Sequence, residues 1–178
     1  MKKVFQFTAV ACFAFALFVM SSTAFAQGSK PVPSPADSTS ATISGANIKI
    51  KYSSPGVKGR VIWGDLVPYD KLWRAGANTA TLFTTDKDIT VEGKKLPAGK
   101  YSIFATPSQN EWKIAFNSQT GQWGIKGGGV ANADPANDVL VVTVKPKAAP
   151  MTERLKYVAS STGFSLIWEK VEVPVSIK

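Results

Sequence analysis

Apolar residues alternate with polar ones through most of this chain, and turn-forming residues recur at short intervals. Ile48, Ile50 and Tyr52 alternate with Lys49 and Lys51, which is typical of a strand with one buried and one wet face. No segment of ten or more residues repeats its apolar positions at helical spacing. The pattern predicts an all-β domain, an antiparallel β-sandwich of about nine short strands, with an open β-barrel as the alternative.

Three segments add detail to this prediction. Residues 89–96 contain two short runs around a Glu-Gly pair, which predicts a tight hairpin. Residues 139–144 form a nearly continuous apolar run, which predicts a central strand covered on both faces. Trp112 and Trp168 lie in regular strand alternation, so we expect both indoles to belong to the core or to the faces of the sheets.

Residues 1–26 have the composition of a secretory signal peptide. Two lysines precede a nearly unbroken apolar run, and the small residues Ala24 and Ala26 predict cleavage before Gln27. The mature protein is therefore expected to be secreted, either periplasmic or associated with the cell envelope. No membrane span is expected once the signal peptide is removed.

Residues 27–40 are rich in Pro and Ser and show no apolar periodicity. This composition predicts a disordered tether between the cleavage site and the folded part of the chain. A single β-rich domain is then expected over residues 41–178. The mature chain of 152 residues is long enough to enclose one sizeable core.

The predicted mature chain contains neither histidine nor cysteine, because Cys12 lies in the signal segment. Ser-His-Asp and Cys-His nucleophile pairs are therefore excluded, as are the usual nitrogen and sulfur ligands of zinc. We expect no metal and no cofactor. The mature chain has 19 Lys and Arg against 12 Asp and Glu, a net charge of +7, but its lysines are scattered, which argues against nucleic acid as a partner.

Residues 52–78 carry many large side chains and little periodicity, which predicts either an ordered loop pinned against a sheet or the wall of a pocket. Asp65 and Asp70 are five positions apart. If the chain folds back at Pro68, the two carboxylates could face one cavity as an acid and base pair. The alternative is that Asp65 closes a turn and Asp70 lies on the surface.

Two arginines in the same segment have two possible roles. Arg60 and Arg74 could present forked donors to a carboxylate or phosphate, or they could form internal ion pairs that hold the loop on the sheet. We predict that Arg74 pairs with Asp65, Asp70 or loop carbonyls. Asn78 could form hydrogen bonds either with the backbone or with a ligand.

Four aromatic residues in segments rich in Gly and Pro could form a platform for a sugar face or an apolar ligand, or could close the core at one end. These residues are Trp63, Tyr69, Trp73 and Trp123. The run of three glycines at 127–129 lacks a following Gly-Lys-Ser/Thr, so it predicts a flexible loop rather than a phosphate-binding loop.

Several motifs resemble a known family. They are VKGRVIWGDLVPYDKLWRAGAN, VEGKKLPAGKYSIFATP, EWKIAFN, QWG and DVLVVTVKP, and together they cover roughly residues 39–178. In these motifs the chain resembles the bacterial secreted family catalogued as domain of unknown function 2911. The resemblance implies a β-rich secreted domain, and it implies no reaction. Trp63 departs from the family pattern, which often has Phe at that position.

Two functional hypotheses remain open. The favoured one is a non-catalytic secreted or envelope module that binds a small ligand, a glycan or a protein partner through the loops at 52–78 and 122–129. Its candidate ligand-binding residues are Arg60, Trp63, Asp65, Tyr69, Trp73, Arg74, Asn78 and Trp123. The alternative is a carboxylate-dependent hydrolase or lyase acting on envelope glycans, with Asp65 and Asp70 as the catalytic candidates.

Overall fold

The computed structural model describes residues 32–178. Ten strands follow one another along this part of the chain, and the only helical elements in it are two short 3-10 turns, Gly127–Gly129 and Pro135–Asn137. The strands are β1 (Ala36–Ile43), β2 (Ala46–Ser53), β3 (Thr81–Thr85), β4 (Ile89–Val91), β5 (Lys94–Leu96), β6 (Gly99–Pro107), β7 (Trp112–Asn117), β8 (Asp138–Val144), β9 (Lys147–Ser160) and β10 (Gly163–Ser176). The predicted all-β class is confirmed.

Six strands form one antiparallel sheet in the order β1-β2-β3-β6-β7-β8, with β1 and β8 at its edges. The two 14-residue strands β9 and β10 pair with each other as a long antiparallel hairpin, and β4 pairs with β5. The main core cluster combines residues of the six-stranded sheet with residues of the long hairpin. This is the arrangement of a β-sandwich, as the alternation of the sequence predicts.

The core explains why the strands alternate as they do. Ile48 and Ile50 on β2, Phe83 on β3 and Ile103 on β6 lie in one cluster with Leu166 on β10. All are at most 3 % exposed, so they bury the apolar face of each strand. Trp112 and Trp168, 2 % and 1 % exposed, belong to the same core, which confirms the prediction for both indoles.

Strand β6 is covered on both faces. Its residues 101–105 are all buried, and Phe104 belongs to a second small cluster with Ala80, Ala115 and Ala131. Because Ala131 lies outside the strands, a loop covers the outer face of the sheet here. This loop is one of the two that form the candidate site.

The prediction for residues 139–144 is wrong. They belong to β8, which is an edge strand rather than a central one, and its residues alternate between buried and exposed. Val139 and Val141 are 46 % and 38 % exposed. A run of valines is found in edge strands as well as central ones, because β-branched residues are enriched in strands of both kinds.

The predicted hairpin at residues 89–96 is confirmed. Strands β4 and β5 are joined by Glu92 and Gly93, both with positive φ (47° and 79°), as a two-residue type I′ turn requires. Strand β10 continues through register shifts at Glu169, whose φ is 55°.

The N-terminal boundary also differs from the prediction. Strand β1 begins at Ala36 and pairs with β2 along its whole length, so residues 36–40 are not a tether. The side chain of Asp37 accepts a hydrogen bond from Tyr52 Oη at 2.8 Å. Low hydrophobicity concealed this strand because it is a solvated edge strand. The predicted signal peptide and residues 27–31 lie outside the described residues.

Within residues 32–178, no helix has the length and apolar character needed to cross a membrane.

A candidate ligand-binding cavity between two loops

The loop at 52–78 is pinned to the sandwich at both of its sides. Near its start, the Val57 amide donates to Glu153 O on β9, and the Leu155 amide donates to Pro55 O. Near its end, Trp73 exchanges backbone hydrogen bonds with Ala105 on β6, at 2.7 and 2.8 Å. Strand β3 pairs with β6 only as far as Ile103. Beyond that residue, Trp73 of the loop takes the place of β3 beside β6. The predicted ordered loop is therefore present.

The segment that follows Trp73 is held in an unusual backbone conformation. Ala75 is fully buried with φ of 51°, and Asn78 has φ of 57°. The carbonyl of Ala75 accepts hydrogen bonds from Tyr157 Oη at 2.8 Å and Thr81 Oγ1 at 2.9 Å. These buried bonds stabilise a left-handed conformation that a non-glycine residue seldom adopts.

Two of the loop tryptophans join the core tryptophans in one cluster. The ring of Trp63 lies 4.9 Å from that of Trp112 and 5.7 Å from that of Trp168, both edge to face. The ring of Trp73 stacks on Trp168 at 6.0 Å with an interplanar angle of 17°. Such pairs stabilise a packed core beyond the area they bury. Trp63 therefore closes the core, and Trp73 packs against the same core.

The loop at 122–129, with the residues 130–133 that follow it, lies beside the segment that ends at Asn78. The Gly124 amide donates to Asn78 O at 2.9 Å, and Thr79 bridges to Trp123. The loop then turns back on itself through the three glycines, with Ile125 bridged to Ala131. The sheet order brings these two loops together although about fifty residues separate them in the chain.

A cavity of about 530 Å³ lies between the two loops, within the size range of small-molecule sites. Its walls include backbone and side chains from residues 55–77 and 125–133, together with Trp168 from β10. Besides Trp168, the larger apolar side chains of the lining are Leu66, Val67, Leu72, Trp73, Ile125 and Val130. A cavity between these two loops is where the sequence placed its candidate site.

The charged lining residues are all basic. They are Arg60, Lys71, Arg74 and Lys126, and no Asp or Glu lines the cavity. Arg60 is held in place by the backbone that precedes it, since its Nη2 donates to Gly56 O at 2.6 Å and its Nε to Val57 O at 3.1 Å. The cavity therefore presents positive charge without a built-in counter-ion.

Arg74 is the most unusual of the four. Its Nε is buried, and among residues 32–178 it has no hydrogen-bond partner. Burial lowers the pKa of its guanidinium, and no carboxylate opposes that effect. The predicted pairing of Arg74 with Asp65, Asp70 or loop carbonyls is therefore wrong for the described residues. Both carboxylates are exposed, neither lies in the cavity wall, and Nε binds no carbonyl.

The predicted site residues fall into two groups. Arg60, Trp73 and Arg74 line the cavity. The other five do not, and they are Trp63, Asp65, Tyr69, Asn78 and Trp123. Their side chains close the core, pack on the loop or face solvent.

Three of these five have evident structural positions. Asn78 Nδ2 donates to Ser34 O and Ser53 Oγ, both at 3.2 Å, so it holds the loop rather than a ligand. Tyr69 packs on Gly64, where a Cβ would lie 3.0 Å from its ring. Trp123 is 55 % exposed. The aromatic platform of four residues is not present as one surface.

Sequence reasoning missed Lys71, Lys126 and Leu72 as lining residues. Both lysines lie in the two segments that the sequence singled out, beside a predicted aromatic in one case and beside the glycine run in the other. Their closeness to these features could have predicted that both lysines line the site. Trp168 was predicted for the core only, and it belongs to both the core and the cavity wall.

Asp65 and Asp70 do not form a catalytic pair in this cavity. Both are exposed, and Asp70 has its backbone amide bonded to Pro107 O at 2.8 Å with a φ of 57°. The described part of the chain also contains no group of three or more Asp, Glu, His or Cys residues that could hold a metal ion. The cavity therefore offers cationic and apolar contacts, which suit binding.

The fold and the cavity define an all-β domain of antiparallel sheets with a cationic pocket between two loops. The chain belongs to the family described as protein of unknown function (DUF2911), whose model matches residues 34–177. This match begins two residues before β1, in agreement with the boundary seen in the structure. Comparison with curated proteins and with solved structures gave no match.

Proposed function

We propose that this domain is a non-catalytic binding module that takes a small ligand into the cavity between the loops at 52–78 and 122–129. The observation that carries the proposal is the buried Nε of Arg74, which lies in a residue of the cavity wall and has no partner within the described residues. A buried donor without an acceptor costs free energy, and a polar or charged ligand group beside the guanidinium offsets part of the cost of burying its charge.

The construction of the walls supports a ligand site. Backbone hydrogen bonds fix the loop at 52–78 to strands β6 and β9, and they fix the loop at 122–129 to residues 78–80, so the cavity is formed before any ligand arrives. Preformed walls reduce the entropy lost on binding. Ala75 and Asn78, with their left-handed backbone, belong to the same segment as Arg74, and strained residues of this kind cluster at ligand clamps.

We also propose that the mature protein works outside the cytoplasm, in the periplasm or at the cell envelope. The basis is the composition of residues 1–26, with an apolar run followed by small residues before Gln27. Mass spectrometry of the protein recovered from the envelope fraction tests this. A mature N-terminus at Gln27 is expected, and an intact Met1 in the cytoplasmic fraction would overturn it.

The binding proposal is tested by nuclear magnetic resonance with a library of metabolite-sized compounds. The indole N–H signals of the five tryptophans are assigned with single Trp→Phe variants. Ligands are expected to shift the signals of Trp73 and Trp168, which line the cavity, and to leave that of Trp123 unchanged. A library that shifts Trp123 alone, or none of the five signals, would count against the cavity as a site.

A further inference from the structure

We infer that the ligand of this cavity is an organic oxyanion, a carboxylate or phosphate ester carried on an apolar body. The inference rests on the proposed binding function and specifies its chemistry. Four basic side chains and no acidic one line the cavity, and apolar side chains form much of the remaining wall. Oxygen anions are the ligands that guanidinium and ammonium groups bind best.

The positive charge of the cavity lining is not explained by the basic composition of the chain alone. Basic residues outnumber acidic ones throughout the sequence, so a surplus of cations alone would be expected on many surfaces. Two more open cavities nevertheless mix both signs. One is lined by Glu92 with Lys145 and Lys147, and the other by Asp37 with Lys51. The absence of any carboxylate from the cavity beside Arg74 is a local property.

The burial of Arg74 distinguishes an anion site from a merely basic surface. A charged guanidinium taken from water is costly unless it is paired and hydrogen-bonded, and its Nε has no partner in the described protein. An oxyanion in the cavity pairs with the guanidinium and so offsets the cost of removing its charge from water.

The position of Arg74 is built into the loop packing. Its aliphatic stem crosses Gly124, and only glycine leaves room for the stem at that position. The stem is thereby held against the loop at 122–129, and the guanidinium is carried at the cavity wall. Arg60 is fixed by two backbone carbonyls in a similar way. Pre-positioned donors lose little side-chain entropy when an anion binds.

The apolar lining indicates the rest of the ligand. Leu66 and Val130 are 43 % and 58 % exposed at the cavity, and Leu72, Trp73 and Ile125 are partly buried there. Exposed aliphatic groups beside buried donors suit a molecule with a charged head and an apolar body. A free inorganic anion would leave these side chains in contact with water.

The test measures binding of five probes to the mature protein by calorimetry, with the tryptophan signals as the site monitor. Sodium octanoate and octyl phosphate are expected to bind, and the stronger of the two identifies the head group. Octan-1-ol is expected to bind at least about tenfold more weakly, the loss expected for one charge-assisted hydrogen bond. Acetate, which lacks the apolar body, and octylammonium are expected not to bind measurably.

Variants locate the effect. Arg74→Met keeps the stem over Gly124 and removes the guanidinium, so octanoate affinity is expected to fall about tenfold or more. Lys113→Gln removes one exposed charge outside the cavity and is expected to leave the affinity unchanged. If Arg74→Met does not fold, Lys71→Gln with Lys126→Gln serves in its place, with an expected loss of octanoate affinity.

The outcomes separate this inference from the binding proposal. Equal affinity for octanoate, octanol and octylammonium, with shifts at Trp73 and Trp168, would overturn the anion inference and leave a ligand-binding cavity. Wild-type affinity for octanoate in Arg74→Met, or no binding of either oxyanion, would also overturn it. The library screen described above decides the binding proposal independently.

Discussion

The side chain of Arg74 crosses Gly124 so closely that a Cβ at position 124 would overlap Cδ of Arg74 and lie 2.9 Å from its Cβ. The same Cβ would lie 2.9 Å from Asn78 O, the carbonyl that the Gly124 amide binds. One glycine therefore connects the two loops of the cavity and sets the position of the partly buried Arg74. Its backbone φ is not in the left-handed region, so space alone requires glycine here.

Gly124→Ala is expected to lower the free energy of unfolding by about 1–3 kcal/mol, the usual cost of overpacking. Octanoate binding is expected to weaken in the same variant because Arg74 must move. Both are measured by denaturant unfolding and calorimetry. Gly127→Ala is the matched control, since a Cβ there meets nothing within 4 Å, and it is expected to be neutral or slightly stabilising. Equal effects of the two substitutions would contradict the close packing.

Trp73→Ala is expected to lower the free energy of unfolding by about 2–4 kcal/mol, toward the lower part of the range for a large core residue because its ring is only partly buried. Trp123→Ala is expected to change it by no more than about 0.5 kcal/mol, because that side chain is 55 % exposed. Removing Trp123 should also shift the tryptophan emission to shorter wavelength. The reverse order of stabilities would refute the assignment of Trp73 to the cluster.

Stability is expected to fall at alkaline pH because of two buried tyrosines. Burial, with a smaller contribution from Asp37, raises the pKa of Tyr52 to about 12, and burial raises the pKa of Tyr157 as well. The unfolded value is about 10, so the native state keeps these protons more tightly. Their contribution is complete below about pH 10, and that of Tyr52 is lost as the pH rises from there through about 12, while that of Tyr157 is lost at higher pH.

Urea unfolding between pH 8 and 12 measures this dependence. The denaturation midpoint should stay level to about pH 9 and then decline. A double variant, Tyr52→Phe with Tyr157→Phe, should decline less steeply. Some dependence should remain, because burial also raises the pKa of Tyr101. An identical decline in the wild type and the double variant would show that these two tyrosines are not its source.

Removal of residues 32–40 is expected to destabilise the domain. The chain 41–178 lacks the part of β1 that pairs Ala36 through Ser40 with β2, and it lacks the Asp37 acceptor of Tyr52. A loss of about 2–4 kcal/mol relative to residues 32–178 is expected, from several backbone hydrogen bonds of about 0.5–1.5 kcal/mol each. Unfolding of both chains followed by circular dichroism measures it. Equal stability would mean that residues 36–40 add nothing to the sheet.

The amino-acid sequence was sufficient for the fold class and for several local elements. The alternation around Ile48 and Ile50 reports strand period, and the hairpin at Glu92 and Gly93 follows from the backbone that its turn requires. Both features depend on residues that are adjacent in the chain, so a short stretch of sequence is enough to predict them. The candidate loops at 52–78 and 122–129 were also identifiable, because each concentrates large side chains or glycine outside any period.

The tertiary structure decided where each strand lies in its sheet. Residues 139–144 have the composition of a central strand, and only the order of strands makes β8 an edge. Residues 36–40 have the composition of a tether, and only pairing with β2 makes them a strand. Edge and centre are properties of the neighbours that hydrogen-bond to a strand, and those neighbours are distant in the sequence.

The tertiary structure also divided the candidate residues. Trp63, Trp73 and Trp123 lie in similar sequence surroundings, yet one closes the core, one lines the cavity and one faces solvent. Loop side chains have no period that assigns them to a face, so their directions follow from the path of the backbone over the sheet. By itself the sequence determined an all-β domain with two candidate binding loops. Only the packing of those loops against each other buried the Nε of Arg74 at a cavity wall that contains no carboxylate. The sequence could not show this, because the strand order brings together residues about fifty positions apart.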